Sequence, residues 1–495
     1  MAETQGNSPK NGRVCITLFF FFVTSLLLPS LLAQTPQPNR ATTLASPSIP
    51  ASRMTEYSGL AQQWEQEYLR IDTTNPPGNE ARAAAFLKKI FDQEGIENRV
   101  FEYAPGRADI WARVPANGKD SKRAIILLNH MDVVTSDASR WKAPPFSANI
   151  IDGAIYGRGA QDMKSDGLAE LVVLVMLKRE KIRLDRDVIF LAVSDEEVDG
   201  TGSDWFVVNQ RSLLENAEFL INEGGGNQIG ANGKLKFVGI GCGEKSTFWL
   251  HVVAHGRPGH GSKPNQDSAP NGLIRALDKI IAYRTPFRVL PVVDEFLRTM
   301  APYQPADRTK QYQNIRQALE DKNFQLEVER DETLNYLLRD TISLSMLGGS
   351  QQTNVIPPEA WANLDVRLLP GSDPKVFLET IRHLVNDPDV TVEPLNNDFR
   401  PPNSSPTNTA LYEAFKRVSA TYFPGAPVTP RMESGYTESQ RFRVLGINSY
   451  GFSSYATTEA ESATEHGNDE RIRVEEVRRG FRVLYDVVTQ VAAAQ

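Results

Sequence analysis

The chain has 495 residues, of which 40% are hydrophobic, 9% aromatic and 23% charged. This balance excludes a collagen-like, mostly disordered, coiled-coil or multi-spanning membrane protein, each of which needs a strongly biased composition. Its 54 Lys and Arg against 61 Asp and Glu give a net charge of −7, so no basic footprint argues for a nucleic-acid partner.

At roughly 150 residues per domain, the length provides for more than one domain. Lys10 and Arg13 precede an apolar run from Val14 to Leu28 that Pro29 breaks, with Ala33 before a potential cleavage point. This pattern reads as an export signal, with an uncleaved membrane anchor as the alternative over residues 1–33. Export leads to the periplasm, the extracellular space or a membrane-anchored state, and a membrane partner follows only if the segment is not cleaved. Residues 34–53, rich in Pro, Ser, Thr and Gln, read as a linker. Only Cys15 and Cys242 occur, so any metal site must be built from His, Asp and Glu.

From Thr55 to Gln93 the apolar spacing predicts two helices parted by Thr74-Asn-Pro-Pro-Gly78. Ala124-Ile-Ile-Leu-Leu128, Val188-Ile-Phe-Leu-Ala-Val193 and Phe219-Leu-Ile221 are short all-apolar runs, and a helical stretch spans Gly167 to Lys181. Such runs alternating with helices predict a mostly parallel sheet covered on both faces. Ligands of such sheets bind at the carboxyl ends of the strands. There the chain places Asn129-His130-Met-Asp132, Ser194-Asp-Glu196-Glu197 and Asn222-Glu223-Gly, with a glycine-containing turn that presents Asp162 before the helix. Neutral imidazole and carboxylate oxygens suit Zn²⁺ or similar ions, and several carboxylates at one edge repel unless cations neutralise them. Adjacent Glu196 and Glu197, if extended, point in different directions, one to a metal and one to a substrate.

Taken one at a time, these residues have ordinary readings: a packed histidine, a solvated acidic turn, a helix cap. Together, His130-Met-Asp132, Gly157-Arg-Gly-Ala-Gln-Asp162, Asp195-Glu-Glu197, Asn222-Glu223-Gly and His466-Gly-Asn-Asp-Glu-Arg471 resemble the ordered motifs of the M20 metallopeptidase family. The resemblance implies a two-domain α/β enzyme: a catalytic domain with a mixed, mostly parallel sheet and helices on both faces, and a smaller α+β lid or dimerisation domain inserted in it. The catalytic domain would span 54–243 and 401–495. The lid would span 244–400, with a helical insertion near 285–340.

The same resemblance implies two Zn²⁺ per chain, with Co²⁺ or Mn²⁺ as alternatives. Asp162 would bridge, His130 and Glu223 would hold one ion, and Glu197 and His466 the other. Asp132 would orient His130, and Glu196 would be the general base. In the lid, Gly256-Arg-Pro-Gly-His260 supplies His260 to an active site, often the partner subunit's. Thr353-Asn354-Val-Ile-Pro357 supplies Asn354 for the reacting oxygen, and Leu364-Asp-Val-Arg367 supplies Arg367 for a substrate carboxylate. His251, His255 and His383 read as ordinary strand and helix residues.

Two positions depart from the family pattern. Many relatives read Asp-Glu-Gly where this chain has Asn222-Glu223-Gly224, and Gly-x-Thr-Asp is common where this chain has Gly435-Tyr-Thr437-Glu438. Gly435 gives backbone room for a substrate carboxylate. The expected activity is zinc-dependent hydrolysis of a small peptide or an N-acyl amino acid, by a homodimer if the lid pairs. The alternatives are a desuccinylase- or deacetylase-like enzyme of narrow substrate range and a non-catalytic exported binding protein, which would have no use for Glu196.

Overall fold

The computed structural model describes residues 46–118, 122–395 and 400–494. The expected export segment and most of the linker lie outside them. Among the described residues no helix is long and apolar enough to cross a membrane.

Six strands of the large sheet come first along the chain: β1 (Glu97–Ala104), β2 (Arg107–Val114), β3 (Lys122–His130), β4 (Arg186–Val193), β5 (Ala217–Asn222) and β6 (Val238–Glu244). A second sheet follows, with β7 (Ser246–Thr247), β8 (Leu250–His255), β9 (Thr341–Gly348), β10 (Glu359–Leu368) and β11 (Val390–Pro394). The chain then returns with β12 (Val428–Glu433) and β13 (Asn448–Gly451). The large sheet is eight-stranded in the order β1-β2-β4-β3-β5-β13-β6-β12. β3 runs parallel to both β4 and β5, so their carboxyl ends share one edge.

The all-apolar runs are explained by burial on both faces. In β3, Ile125 and Leu127 join one core with the helices Ala51–Leu69, Lys164–Arg179 and Val474–Ala492, whereas Ala124, Ile126 and Leu128 join a second core with Phe206 and Phe442. Side chains alternate along a strand, so a strand covered twice has no polar position to spare. The helix Lys164–Arg179 is itself buried along most of its length, which is why its apolar pattern is nearly continuous.

The five-stranded sheet has a separate core. Leu250, Val252 and Ala254 of β8 and Ala362, Leu364 and Val366 of β10 pack under the helices Ala269–Ala282 and Pro374–Val385. Its other face carries Trp249 and His251, as the alternation in the sequence requires. The helices between Pro291 and Leu338 behave differently. Val293, Leu297, Ile315, Phe324 and Leu334 pack into the core of the large sheet, although the stretch lies in sequence between elements of the small one.

Where β6 passes into β7, Lys245 is 1% exposed. Its Nζ donates to the carbonyls of Tyr336 and Arg339 at 3.1 and 2.8 Å and to Thr341 Oγ1 at 3.1 Å. One side chain therefore ties two of the crossings between the sheets. Burial pushes its amine down to about 7. Lys245→Met leaves these acceptors unpaired and is expected to cost about 1–3 kcal/mol, read as a lowered midpoint in urea unfolding; an unchanged midpoint assigns the tie elsewhere.

Candidate metal centre

His130 closes β3, Glu196 and Glu197 lie in the turn after β4, Glu223 follows β5, Asp162 precedes the helix Lys164–Arg179, and His466 comes from the segment before the last helix. Their meeting point is the two oxygens of Asp162. His130 Nε2 lies 2.9 Å from Oδ1, and His466 Nε2 lies 2.8 Å from Oδ2. Glu223 Oε2 is 3.6 Å from the first imidazole nitrogen, and Glu197 Oε2 is 3.3 Å from the second. Two three-residue clusters, His130-Asp162-Glu223 and Asp162-Glu197-His466, thus share one carboxylate. Asp162 makes no helix-capping bond, so the cap reading fails at this position. Glu196 and Glu197 diverge because they sit in a turn, not because the backbone is extended.

Buried carboxylates hold the loops that present these ligands. Asp132 accepts from the amides of Glu196 and Glu197 at 3.1 and 3.2 Å and from Asn75 Nδ2 at 2.9 Å. Its side chain is committed to that turn, so His130 Nδ1 donates to the Asp132 main-chain carbonyl at 3.0 Å, with the carboxylate at 3.6 Å. Asn75 also reaches Asp195, which Arg107 engages at 2.6 Å. On the other side, Glu470 accepts from the amides of Gly159, Gln161 and Asp162 at 3.0, 2.7 and 3.3 Å and pairs with buried Arg158 at 2.5 Å.

Sequence reasoning missed these props. The signal open to it was a charge of each sign inside two motifs already singled out, Arg158 and Glu470. The turn after Glu223 closes by backbone contact. Gly225 has φ +80°, and a Cβ there would meet the Gly239 carbonyl oxygen at 2.3 Å. Gly239 and Gly241 are therefore strand glycines of β6, spent on this approach.

The cleft beside the clusters has a volume of about 510 Å³ and is lined by Glu196, Glu197, Glu223, His466, Gly435 and Arg431 among others. His260, Asn354 and Arg367 are not brought to it. His260 is exposed on a short ribbon, where its Nδ1 meets Ser262 Oγ at 2.8 Å. The Asn354 carbonyl accepts from Gly261 at 2.8 Å on the same ribbon, and Arg367 pairs with Asp365 at 2.7 Å. His251, His255 and His383 sit at Asn363, Glu359 and the Glu379 carbonyl.

The electrostatics test whether a cation fits. Burial pushes the Glu196 and Glu223 carboxyls well above the usual range, with neighbouring carboxylates adding to the shift. Asp162 and Glu197 draw the His466 imidazole up to about 10. Burial opposes a charge on His130, but Asp132, Asp162 and Glu223 outweigh it and raise that group too. Glu197 Oε1 is buried with no hydrogen-bond partner. Carboxylates and imidazoles gathered this closely, holding protons or left unpartnered, form a donor set suited to divalent cations.

Residues 126–490 match the model of peptidase family M20/M25/M40. The chain belongs to that family. It is 28% identical to aminoacylase-1 of Homo sapiens over 435 residues, 86% of this chain and 94% of that protein. Its fold is similar to that of an M20 family metallo-carboxypeptidase, Sso-CP2 from Sulfolobus solfataricus, with a TM-score of 0.64 and 18% identity over 87% of this chain and 98% of that one. A dinuclear metal binding peptidase of the M20 family, Bacillus subtilis YXEP protein, superposes with a TM-score of 0.55 at 11% identity, covering 88% and 98% of the two chains. As an M20 member, this chain is a hydrolase of peptide or acyl-amino acid bonds of a metal-binding family, and its two clusters are groups of His, Asp and Glu that could hold metal ions.

The raised groups fix the sign of one pH dependence. In the metal-free fold Glu223, His130 and His466 are all shifted toward their protonated forms, and a cation bound among them would compete with those protons, so apparent metal affinity is expected to rise with pH. Titration calorimetry with Zn²⁺ between pH 6 and 8 is expected to show net proton release and an affinity gain of about tenfold per pH unit for each proton displaced; a pH-independent affinity counts against these ligands. Separately, Glu470→Gln strips the charge from an acceptor of three amides and leaves Arg158 buried and unpaired. About 3 kcal/mol or more of stability should be lost in chemical denaturation, and a neutral outcome removes Glu470 as the prop.

Proposed function

We propose that the chain hydrolyses the amide bond of a small peptide or N-acyl amino acid with a free carboxylate, using two divalent cations, Zn²⁺ in the first place, at the clusters that share Asp162. The observation that carries this reading is the division of Asp162, one oxygen to each imidazole. Aminoacylase-1 and the metallo-carboxypeptidase among the relatives support the two substrate classes. Bound there, divalent cations supply the Lewis acidity that lowers the pKa of water and polarises a carbonyl.

The chain's own groups do the rest. His130, Asp162 and Glu223 would hold one ion, and Asp162, Glu197 and His466 the other. Glu196 lines the cleft, where burial and neighbouring carboxylates raise its carboxyl above the usual range, the direction that a proton-carrying group needs. It takes a proton from the attacking water as the C–O bond forms, and returns it to the amine nitrogen as the C–N bond breaks. Asp132 acts on Glu196 by holding its amide. Gly435 gives backbone room beside the cleft for the substrate's carboxylate end.

His260 and Asn354 are assigned to the oxyanion and Arg367 to the substrate carboxylate, whose planar fork it suits. All three lie on the small-sheet part and reach a cleft by closure or from the lid of a partner subunit, so turnover depends on movement or on a homodimer. Residues 1–33, read as an export signal or anchor, would carry this activity to the periplasm, the extracellular space or a membrane-anchored state.

The test is amine release from a panel of dipeptides and N-acyl amino acids, before and after chelation and metal return. Cleavage that chelator abolishes and Zn²⁺ restores is expected, with Glu196→Gln lowering kcat by about 10²- to 10⁴-fold at unchanged metal content. Loss of metal in that variant makes Glu196 a ligand. Absence of cleavage across the panel by metal-loaded protein moves the substrate to a narrow desuccinylase- or deacetylase-like range.

A further inference from the structure

The walls of the cleft beside the clusters are polar and mostly acidic. Asp166, Glu433, Glu465, Ser453 and Thr457 line it together with the candidate ligands, and among the described lining residues Arg431 is the only Lys or Arg. Carboxylates on both walls repel an anionic substrate unless a cation receives it. Ions bound at the clusters offset the carboxylates that hold them, which leaves Arg431 as the fixed positive side chain of the wall.

The strand β12 and the glycine turn after Glu223 hold Arg431 in place. Its stem passes over Gly239, where a Cβ would come within 2.7 Å of Arg431 Cδ. The guanidinium carbon lies 5.4 Å from the centre of the Phe237 ring, and Nη1 donates to the Gly225 carbonyl at 3.3 Å. Gly225 is two residues beyond Glu223, so the guanidinium stands at the turn that carries a candidate ligand. The Tyr336 side chain is beside it. These contacts use only part of a planar group rich in N–H donors. No carboxylate of the described residues pairs with it, and Glu433, on the same strand, accepts from the Gly225 amide at 3.0 Å instead.

Arg367 is in the opposite state. Its Nε and Nη2 already donate to the two oxygens of Asp365 at 2.7 and 3.1 Å. The guanidinium assigned to the substrate's terminal carboxylate is therefore paired and lies on the small sheet, whereas the one in the cleft has no anion. A substrate with a single carboxylate leaves Arg431 without a partner.

We propose that Arg431 receives a second carboxylate of the substrate, carried by its side chain or by its acyl group, and so selects dicarboxylate amides over their neutral counterparts. This rests on the hydrolytic function proposed above and narrows its substrate class. The planar fork of arginine suits a carboxylate, and the polar walls suit an acidic substituent better than an apolar one.

The test measures kcat and KM of metal-loaded wild type, Arg431→Gln and Arg431→Lys on two near-isosteric pairs. These are N-acetylglutamate against N-acetylglutamine, and N-succinylalanine against N-succinamoylalanine, with thermal unfolding of each protein as the check on folding. The wild type should favour the acid of at least one pair by at least about tenfold in kcat/KM, chiefly through KM, and the pair that responds shows which end of the substrate carries the group. Arg431→Gln should bring that ratio to within about twofold, with Arg431→Lys, which keeps the charge without the fork, between the two. If Arg431→Gln fails to fold, a fall of the ratio in Arg431→Lys carries the test. A wild type that cleaves amides of the wider panel without favouring either acid overturns the inference alone. A preference that survives in the variants, or an equal loss for acid and amide, also overturns it, the latter as a structural effect. A metal-loaded wild type that cleaves no amide at all overturns the hydrolytic function and this inference with it.

Discussion

One carboxylate organises the site. Asp162 uses each oxygen toward a different imidazole, and the remaining donors, Glu223 and Glu197, stand outside those imidazoles. Such an arrangement concentrates negative charge at low dielectric, where repulsion is strong and water cannot relieve it. It persists only with protons or cations among the oxygens. The same concentration of charge, together with burial, raises the carboxyl of Glu196, so the charges gathered at the clusters also act on a group able to carry a proton.

A cluster of this kind needs rigid supports, and the fold builds them from buried polar groups, not from apolar packing alone. Asp132 gathers the amides of the Glu196-Glu197 turn, Glu470 gathers those of the Asp162 turn, and glycine backbones press the Glu223 turn against β6 and β13. Each device fixes main chain, and each leaves the ligand side chain free to face the cleft. Ligand geometry therefore depends on residues that bind nothing themselves.

The second sheet stands apart in its packing. Its core is separate, and the residues assigned to the oxyanion and the substrate carboxylate lie on it, away from the clusters. Lys245 ties two crossings between the sheets, and the helices from Pro291 to Leu338 brace the large sheet from within the same span of sequence. The part that carries the candidate metal clusters is built for rigidity. The part that carries His260, Asn354 and Arg367 is joined to it through a few crossings.

The sequence by itself determined the parallel sheet, since strands buried on both faces must be apolar throughout, and it pointed to the candidate ligands, since strand ends in order carried His130, Glu197 and Glu223. It also located Asp162 and His466 through motifs that resemble one family. Tertiary structure alone decided how these residues share charge: that both oxygens of Asp162 are used, that the Asp132 main chain and not its carboxylate meets His130, that Arg158 and Glu470 pair across 312 positions, and that Asn222 meets Glu438. Such facts depend on distances between segments far apart along the chain. Periodicity and spacing report only local backbone geometry, whereas electrostatic energy is set by the full three-dimensional arrangement of charges and their burial.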